Sequence, residues 1–292
     1  MGDLGDMKKI LVTGANGQLG RCIKDAAAGF PELEFVFTSK EELDIESIGL
    51  LRDFFRKNTF NYCINTAAYT NVEKAESEKD RAFAINAEAV KNLAETCNEN
   101  NVVLLHISTD YVFDGKKESP YLETDSTPPL NVYGASKLKG EQYIQEICNS
   151  FFIFRTSWLY SQYGHNFLKT ILKYAEAEKP LTITTEQTGT PTNANDLANA
   201  LLQVIAQDST DYGVYHYSNQ GETTWFGFAE EILRQTEKLK DTNLAKTNHY
   251  RTFAARPEYS VLDNTKTHNK LKLKQIDWRE SLKSVLKKTV IN

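Results

Sequence analysis

The chain has 292 residues, of which 40% are hydrophobic and 25% are charged, and its formal net charge is −5 at pH 7. These values are ordinary for a globular protein and leave room for one large domain or two smaller ones. The charges are interspersed and form no basic stripe, which argues against nucleic acid as a main partner. The sequence contains no apolar run of about 18 residues and no secretion-signal pattern, so we expect a cytoplasmic protein without a membrane span.

Neither the N-terminal end nor the spacing of cysteines and histidines indicates a functional site. The first six residues, MGDLGD, precede a second plausible start at Met7 and carry no periodic pattern. The cysteines lack C-x-x-C spacing and stand in apolar or helical stretches, which favours reduced, packed thiols at Cys22, Cys63, Cys97 and Cys148. The histidines show no helical spacing that suits a metal, so we predict no protein-built zinc site at His106, His165, His216, His249 or His268.

The first half of the chain alternates between apolar strands and helices. From Lys8 the sequence KKILVTG predicts a strand that leads through a glycine-punctuated turn into a helix. Further strands are predicted at 34–39, 62–68, 102–108 and 151–157, with helices between them. Apolar strands separated by helices are typical of a parallel sheet covered on both faces. Because crossovers are right-handed, we predict an α/β fold with a doubly wound, Rossmann-type parallel sheet.

The alternation weakens beyond Trp158. Helices are predicted at 166–179, 195–207 and 224–238, with short extended segments at 181–192 and 213–218. We therefore predict a smaller C-terminal lobe whose pieces interleave with the last elements of the sheet. The sheet domain is assigned residues 7–157 with parts of 190–218, and the smaller lobe residues 158–189 with 219–292. The lysine-rich tail is predicted to be a solvated helix.

The segment TGANGQLG places three glycines, Gly14, Gly17 and Gly20, between the first strand and the first helix. Glycine is needed where the backbone takes a positive φ, approaches a pyrophosphate, or brings helix and strand together. The N–H groups and the dipole at the start of a helix attract a diphosphate, so we predict a dinucleotide site. A plain connecting turn is the alternative. Further contacts to phosphate and nicotinamide are predicted from Asn16, Gln18 and Leu19.

The ends of the second and third strands add further candidates for the cofactor. The second strand lacks the terminal acid expected for a ribose 2′-hydroxyl and offers Ser39 and Lys40 instead, so we expect NADPH, with NADH also accepted. Asp44 can reach the adenine, and Ile45 beside it is included in the predicted site. The third strand brings four residues to the carboxyl edge, where small side chains serve either ligand binding or close packing: Ala67, Ala68, Tyr69 and Thr70.

Tyr133 and Lys137 open a helix one turn apart, after the strand that brings Thr109 and Asp110 to the same edge. Roughly one Tyr-x-x-x-Lys pair is expected by chance in such a chain, so the position of the pair carries the prediction. An adjacent ammonium is expected to lower the tyrosine pKa from about 10 and fit it for proton transfer. Thr109 would hydrogen-bond the reacting oxygen, and Lys137 would also hold the nicotinamide ribose.

The glycine turn, NTAAYT, STDYVF and YGASK, in this order, resemble the extended short-chain dehydrogenase/reductases. Within that superfamily, RTSWLY, QTGTPT and ARPEYSVLDNTK are similar to the family of dTDP-4-dehydrorhamnose reductases, which complete dTDP-L-rhamnose synthesis. The resemblance implies that hydride passes from the reduced nicotinamide to C4 of a 4-keto nucleotide sugar and that Tyr133 donates the proton. It also implies sugar contacts from Thr109, Asp110 and Trp158.

The resemblance extends to residues of the second lobe. Arg256 resembles the arginine that holds a nucleotide-sugar diphosphate, although an arginine beside a proline is also typical of a surface ion pair. Asn166 is a candidate substrate contact, with helix capping an equally good interpretation. The family is associated with Mg²⁺ at an acidic dimer contact, which adds Mg²⁺ and a homodimer to the expectations, but no ligands for the ion can be matched in the sequence.

Two other functions use the same fold. Nucleotide-sugar epimerases and dehydratases share the tyrosine but return the hydride to their substrate. The 4,6-dehydratases carry Asp-Glu after the catalytic-strand threonine, whereas this chain has Asp110 followed by Tyr111, so the elimination base is missing. A non-catalytic, NADP-binding regulatory subunit of methionine adenosyltransferase also resembles this family, and the intact Tyr133 and Lys137 argue against that function for this chain.

Overall fold

The computed structural model of the protein describes residues 7–248 and 251–289. The leading hexapeptide and His249 lie outside these residues. The strands are β1 Lys8–Thr13, β2 Leu33–Thr38, β3 Tyr62–Asn65, β4 Val103–Thr109, β5 Phe151–Thr156, β6 Leu159–Tyr160, β7 Leu181–Thr184, β8 Thr188–Gly189, β9 Thr192–Asn193, β10 Gly213–His216, β11 Thr223–Thr224 and β12 Leu244–Thr247. The α-helices are α1 Gln18–Ala26, α2 Ile48–Lys57, α3 Val72–Ala75, α4 Lys79–Phe83, α5 Ala89–Glu99, α6 Val132–Ile147, α7 Phe167–Glu176, α8 Ala194–Ala206, α9 Trp225–Gln235, α10 Thr265–Leu271 and α11 Trp278–Thr289.

Six strands form a central sheet in the order β10-β5-β4-β3-β1-β2, and every pairing in it is parallel. The chain runs from β1 outward to β2 and then back across β1 to β3, so the strand order reverses between β1 and β3. Ligands of doubly wound sheets lie at the carboxyl edge of such a reversal. The predicted Rossmann-type fold is confirmed.

Helices cover both faces of this sheet. Helices α1 and α8 pack on one face, where Ile23 and Leu201 are fully buried, and α2, α5 and α6 pack on the other, around Leu51 and Leu93. All four cysteines lie in these two cores as free, buried thiols. The carboxyl edge of the sheet is therefore supported by a hydrophobic core on each face.

The helix predicted between the strands at 62–68 and 102–108 is not continuous. Residues Ala84–Glu88 form a π-helical segment between α4 and α5. Asn86 in this segment is fully buried, and its side chain bonds both backbone groups of Tyr69 and the hydroxyl of Ser136. A Cβ on Gly140 would lie 2.2 Å from the carbonyl oxygen of Asn86, so α6 packs directly against this segment. Such bulges often occur at functional sites.

A separate core stabilises the smaller lobe, built from α7, α9 and α11 around Leu168 and Phe228. The prediction of a solvated C-terminal helix is wrong, because α11 buries Trp278, Leu282 and Val285 in this core. Positions i, i+4 and i+7 form an apolar stripe, whereas Lys283, Lys287 and Lys288 are exposed.

The chain crosses back to the sheet near its C-terminal end. Leu271 and Leu273, within the range assigned to the smaller lobe, pack into the core beside α1 and α8. Within residues 7–248 and 251–289, every helix is too short or too polar to span a membrane.

Candidate active site

The carboxyl edge of the sheet borders two neighbouring cavities. One, of about 330 Å³, lies between the glycine turn and the loop after β2. The other, of about 680 Å³, lies between the sheet and the smaller lobe. Gly17, Thr66, Ala67 and Ala68 line both cavities, so they form one continuous cleft.

The glycine turn has the close approaches that a dinucleotide cradle requires. Gly14 has φ +67°, and a Cβ there would lie 2.6 Å from the backbone nitrogen of Ala67. A Cβ on Gly20 would lie 2.7 Å from the Cα of Ala15, because α1 packs tightly on the turn. Helix α1 begins after Gly17, which has no side chain to cap it. Gly17, Gln18 and Leu19 line the cleft, so the start of α1 lies where an anion site requires it.

The smaller cavity is lined by Asp44 and Ile45 and by Ser39 and Lys40. The ammonium of Lys40 lies 2.9 Å from a carboxylate oxygen of Glu46. Arg81 donates to both oxygens of the same carboxylate, with Nη2 at 2.9 Å. Arg81 was not predicted from the sequence, since its approach depends on how α4 packs against the loop after β2. Lys40 and Arg81 thus both pair with the carboxylate of Glu46 beside the smaller cavity.

Tyr133 and Thr109 both line the larger cavity. Burial raises the pKa of Tyr133 above its ordinary value. The expectation of a lowered pKa is therefore wrong. The physical reason is that desolvation disfavours the phenolate, while the ammonium of Lys137 is directed elsewhere. Tyr133 consequently remains protonated at neutral pH.

Lys137 is buried and contacts the backbone of β4. Its Nζ donates to the carbonyl oxygen of Ile107 at 2.6 Å and lies 3.3 Å from Nε2 of His106. Burial lowers the pKa of Lys137 to about 8, and the carboxylate of Glu141 opposes this shift.

A chain of hydrogen bonds continues behind His106. Nδ2 of Asn65 lies 3.1 Å from Nδ1 of His106, and the Oδ1 of Asn65 accepts from the hydroxyl of Thr13 at 2.7 Å. These bonds were not predicted from the sequence, although one signal was present. A polar residue stands inside or at the end of each of three strands that are otherwise almost entirely apolar.

A buried ion pair holds α6 beneath the site. Glu141 is fully buried and accepts from Nη2 of Arg155 on β5 at 2.7 Å and from the hydroxyl of Ser108. Helix α6 carries both Tyr133 and Lys137, so the Glu141–Arg155 ion pair helps to fix the position of these two residues relative to the sheet. Removing one partner of such a pair leaves a buried charge uncompensated.

The wall of the larger cavity that faces the smaller lobe is aromatic. Trp158 and Trp225 stack with ring centroids 3.6 Å apart and planes inclined by 9°. Trp158 has φ +44°, which is unusual for a large residue, and a Cβ on Gly189 would lie 2.6 Å from its ring. Nε1 of Trp225 donates to Gln187 at 2.9 Å. Trp225 was missed because it is distant in sequence from every recognised motif.

Asp110 and Arg256 add charge to the same cavity. Asp110 is buried, and burial raises the pKa of its carboxyl to about 6, although the hydrogen bond from Thr109 acts against this shift. Arg256 pairs with Glu73 at 2.7 Å and lies 3.5 Å from the hydroxyl of Tyr111.

Some predicted residues do not line the two cavities. Tyr69 donates its hydroxyl to Glu78 at 2.6 Å and lines neither cavity. Gly20 serves the packing of α1. Asn166 caps α7 and donates to Oε1 of Gln18 at 2.9 Å, which supports the capping interpretation. It borders a third cavity of about 310 Å³, which shares Trp225 and Arg256 with the larger one.

Gln18 lines the larger cavity but also bridges the two halves of the molecule. Its amide nitrogen donates to the carbonyl oxygen of Leu159 at 3.3 Å, and its oxygen accepts from Ser161 and Asn166. No cluster of His, Cys, Asp and Glu side chains that could hold a metal ion occurs in the described part of the chain. The expectation of Mg²⁺ finds no support there.

A family model described as the RmlD substrate binding domain matches residues 7–291. The dTDP-4-dehydrorhamnose reductase of Aggregatibacter actinomycetemcomitans is 36% identical over 289 residues, covering 96% of this chain and 98% of that protein. The reductase of the same name from Escherichia coli K12 is 37% identical over 295 residues, covering 95% and 96%.

Solved structures of other proteins are also similar to this chain. The crystal structure of dTDP-4-dehydrorhamnose reductase from Bacillus anthracis in complex with NADP is 34% identical and superposes with a TM-score of 0.92, covering 97% of this chain and 99% of that one. The UDP-glucose 4-epimerase of Thermotoga maritima, at 19% identity and a TM-score of 0.82, shares the fold alone, covering 97% of this chain and 100% of that one.

Proposed function

The chain belongs to the family of the RmlD substrate binding domain, and from this premise we propose that it reduces the C4 keto group of dTDP-4-dehydro-L-rhamnose to give dTDP-L-rhamnose. The relatives with this name match along nearly their whole length, so the likeness extends to the substrate lobe as well as the nucleotide fold. One observation in the molecule supports the proposal most: Thr109, Tyr133 and Lys137 line the cavity into which the glycine turn opens.

We propose NADPH as the cofactor, with NADH also accepted. The close approaches at Gly14 and Gly20 and the uncapped start of α1 fit a diphosphate, and the Bacillus anthracis relative was solved with NADP. Lys40 and Arg81 are proposed to meet a 2′-phosphate, because Lys40 lines the smaller cavity and both cations pair with Glu46 in its wall. When bound, the reduced nicotinamide supplies the hydride that C4 receives.

Tyr133 is proposed to donate its hydroxyl proton to the oxygen at C4. Burial keeps this hydroxyl protonated, which suits an acid in the reductive direction. Thr109 is proposed to orient both the tyrosine and the sugar oxygen. Lys137 would supply positive charge as Tyr133 gives up its proton, and it would hold the ribose of the cofactor.

The sugar and its nucleotide are proposed to lie along the lobe interface. The stacked rings of Trp158 and Trp225 offer a flat apolar wall for the pyranose, and Asp110 can accept from its hydroxyls. Arg256 lines both the larger cavity and the third cavity, so it is placed to receive a diphosphate between them. The third cavity is proposed for the nucleoside.

The test of these roles compares Tyr133→Phe with Tyr143→Phe. Both tyrosines belong to α6, but Tyr143 is at the surface, where its hydroxyl contacts Glu88 at 3.0 Å. Removal of the acid is expected to lower NADPH oxidation with dTDP-4-dehydro-L-rhamnose by about 10²–10⁴-fold, while the control keeps its activity. Equal activity in the two variants would contradict the proposed role of Tyr133.

A further inference from the structure

The carboxylate of Glu73 connects the sheet domain to the loop that carries Arg256, beside the larger cavity. Glu73 lies in the first turn of α3, directly after Val72, which lines the larger cavity. Its Oε1 accepts from Nη2 of Arg256 at 2.7 Å. Its Oε2 accepts from the backbone N–H groups of Phe253 at 2.9 Å and Ala254 at 3.2 Å. These partners are 180 or more residues away in the chain.

The three hydrogen bonds fix both the loop and the plane of the arginine. A carboxylate that binds two successive N–H groups sets the path of the backbone, and its other oxygen sets the direction of the guanidinium. The loop is also held on its other side, where Nδ2 of Asn131 donates to the carbonyl oxygen of Ala255 at 2.8 Å. Arg256 therefore follows three successive residues whose backbone is hydrogen-bonded, Phe253, Ala254 and Ala255.

The charge of Glu73 has two opposing effects on an anion in the cleft. It repels a diphosphate, but its oxygens are already engaged by three donors. It also keeps Arg256, whose side chain is 22% exposed, directed along the wall shared by the larger and third cavities. A guanidinium fork gains specificity when its orientation is set before the ligand arrives.

We propose that Glu73 is a positioning residue for the nucleotide sugar: it holds Arg256 and its loop in the orientation that receives the diphosphate. This inference rests on the proposed function, which assigns Arg256 to the diphosphate. Glu73 contacts neither the reacting atoms nor, on this proposal, the cofactor. Its removal should therefore weaken nucleotide-sugar binding without slowing the chemical step or changing cofactor affinity.

The experiment measures the Kd of dTDP by calorimetry for the full chain saturated with NADP⁺. Glu73→Gln keeps the shape of the side chain and removes its charge. It is expected to raise the Kd of dTDP by at least about tenfold, as loss of charge-assisted hydrogen bonds does. The KM for the nucleotide sugar should rise in parallel, with kcat within about twofold and the Kd of NADPH unchanged.

The matched control is Glu99→Gln. Glu99, like Glu73, pairs with an arginine: its two carboxylate oxygens accept from Arg52, between α5 and α2. Its exposed fraction of 45% is close to the 39% of Glu73. This variant breaks a comparable pair away from the cleft and should leave the Kd of dTDP unchanged.

A double variant tests whether Glu73 acts through Arg256. If it does, Glu73→Gln combined with Arg256→Ala binds dTDP no more weakly than Arg256→Ala alone. Additive losses would overturn the inference, as would an unchanged or tighter Kd for Glu73→Gln. Binding of dTDP that depends on Glu73, in a protein that does not reduce the keto sugar, would contradict the proposed function and support the inference. Normal reduction with an unaffected Glu73→Gln would contradict the inference alone.

Discussion

The two halves of the cleft, which are proposed to bind the cofactor and the substrate, are built in different ways. On the cofactor side, one stretch of eight residues provides the turn, the close approaches and the start of α1, so local sequence fixes the geometry. On the substrate side, the walls come from distant segments, as in the stack of Trp158 on Trp225 and the pair of Arg256 with Glu73. Cofactor binding should thus be sensitive to changes in the backbone, and substrate binding to changes in single side chains.

Gly14→Ala should have the larger effect, because it strains the backbone of the cofactor half. A side chain there would combine φ +67° with a contact of 2.6 Å to the backbone of the neighbouring strand end. We expect a loss of about 1–3 kcal/mol in the free energy of unfolding and much weaker NADPH binding. Chemical denaturation and fluorescence titration with NADPH measure the two effects.

Gly49→Ala is the control for this change. A Cβ at Gly49 would meet no atom within 4 Å, and the residue lies inside α2. Alanine should raise the free energy of unfolding there by about 0.5–1 kcal/mol. Equal effects of the two alanines would contradict the proposed role of the glycine turn.

Trp225→Ala should act on the substrate half alone. It removes the ring that supports Trp158, and stacked aromatic pairs contribute about 0.5–1.5 kcal/mol beyond their burial. We expect the KM for the nucleotide sugar to rise up to about tenfold, with NADPH affinity retained. Trp225→Phe keeps an aromatic face, so its KM for the nucleotide sugar should lie between those of the wild-type protein and Trp225→Ala. An equal loss of cofactor affinity would show that the halves are not separable in this way.

The smallest expected effect is the pH dependence of kcat/KM, which depends on Lys137. This residue is proposed to act on both the cofactor and the catalytic tyrosine. Because burial lowers the pKa of Lys137 to about 8, the ammonium is present below that pH and is lost as pH rises through it. If that charge supports proton donation by Tyr133, kcat/KM for NADPH falls above pH about 8. Lys137→Arg should remove this decline, although at lower activity, since arginine stays charged. A flat profile up to pH about 10 would contradict the role of Lys137.

The sequence predicts the cofactor side of the cleft better than the substrate side. Apolar strands predicted the sheet, which is confirmed, and the glycine turn predicted a dinucleotide site, because both predictions depend on local pattern. The burial of α11 was also visible as an apolar stripe at 278, 282 and 285 but was outweighed by its lysines. By contrast, Trp225, Glu73 and His106 reach their positions around the cleft only through tertiary packing. The one signal in the sequence, a polar residue inside an apolar strand, applies to His106 alone.

The raised pKa of Tyr133 shows a second limit. From the sequence, the lysine one turn away was expected to lower that pKa. Burial of Tyr133 and the bond of Lys137 to the carbonyl oxygen of Ile107 reverse the result. Motif spacing predicts which groups meet, whereas solvent access and hydrogen-bond direction decide their protonation.

The most direct test of the proposed function is the stoichiometry of cofactor consumption with dTDP-4-dehydro-L-rhamnose. The wild-type protein should oxidise one NADPH for each keto sugar consumed, and the product should carry a hydroxyl at C4. Conversion of the sugar without net loss of NADPH would instead indicate an epimerase or dehydratase. Binding of NADPH without any conversion would indicate a non-catalytic protein, and either result would contradict the proposed reductase activity.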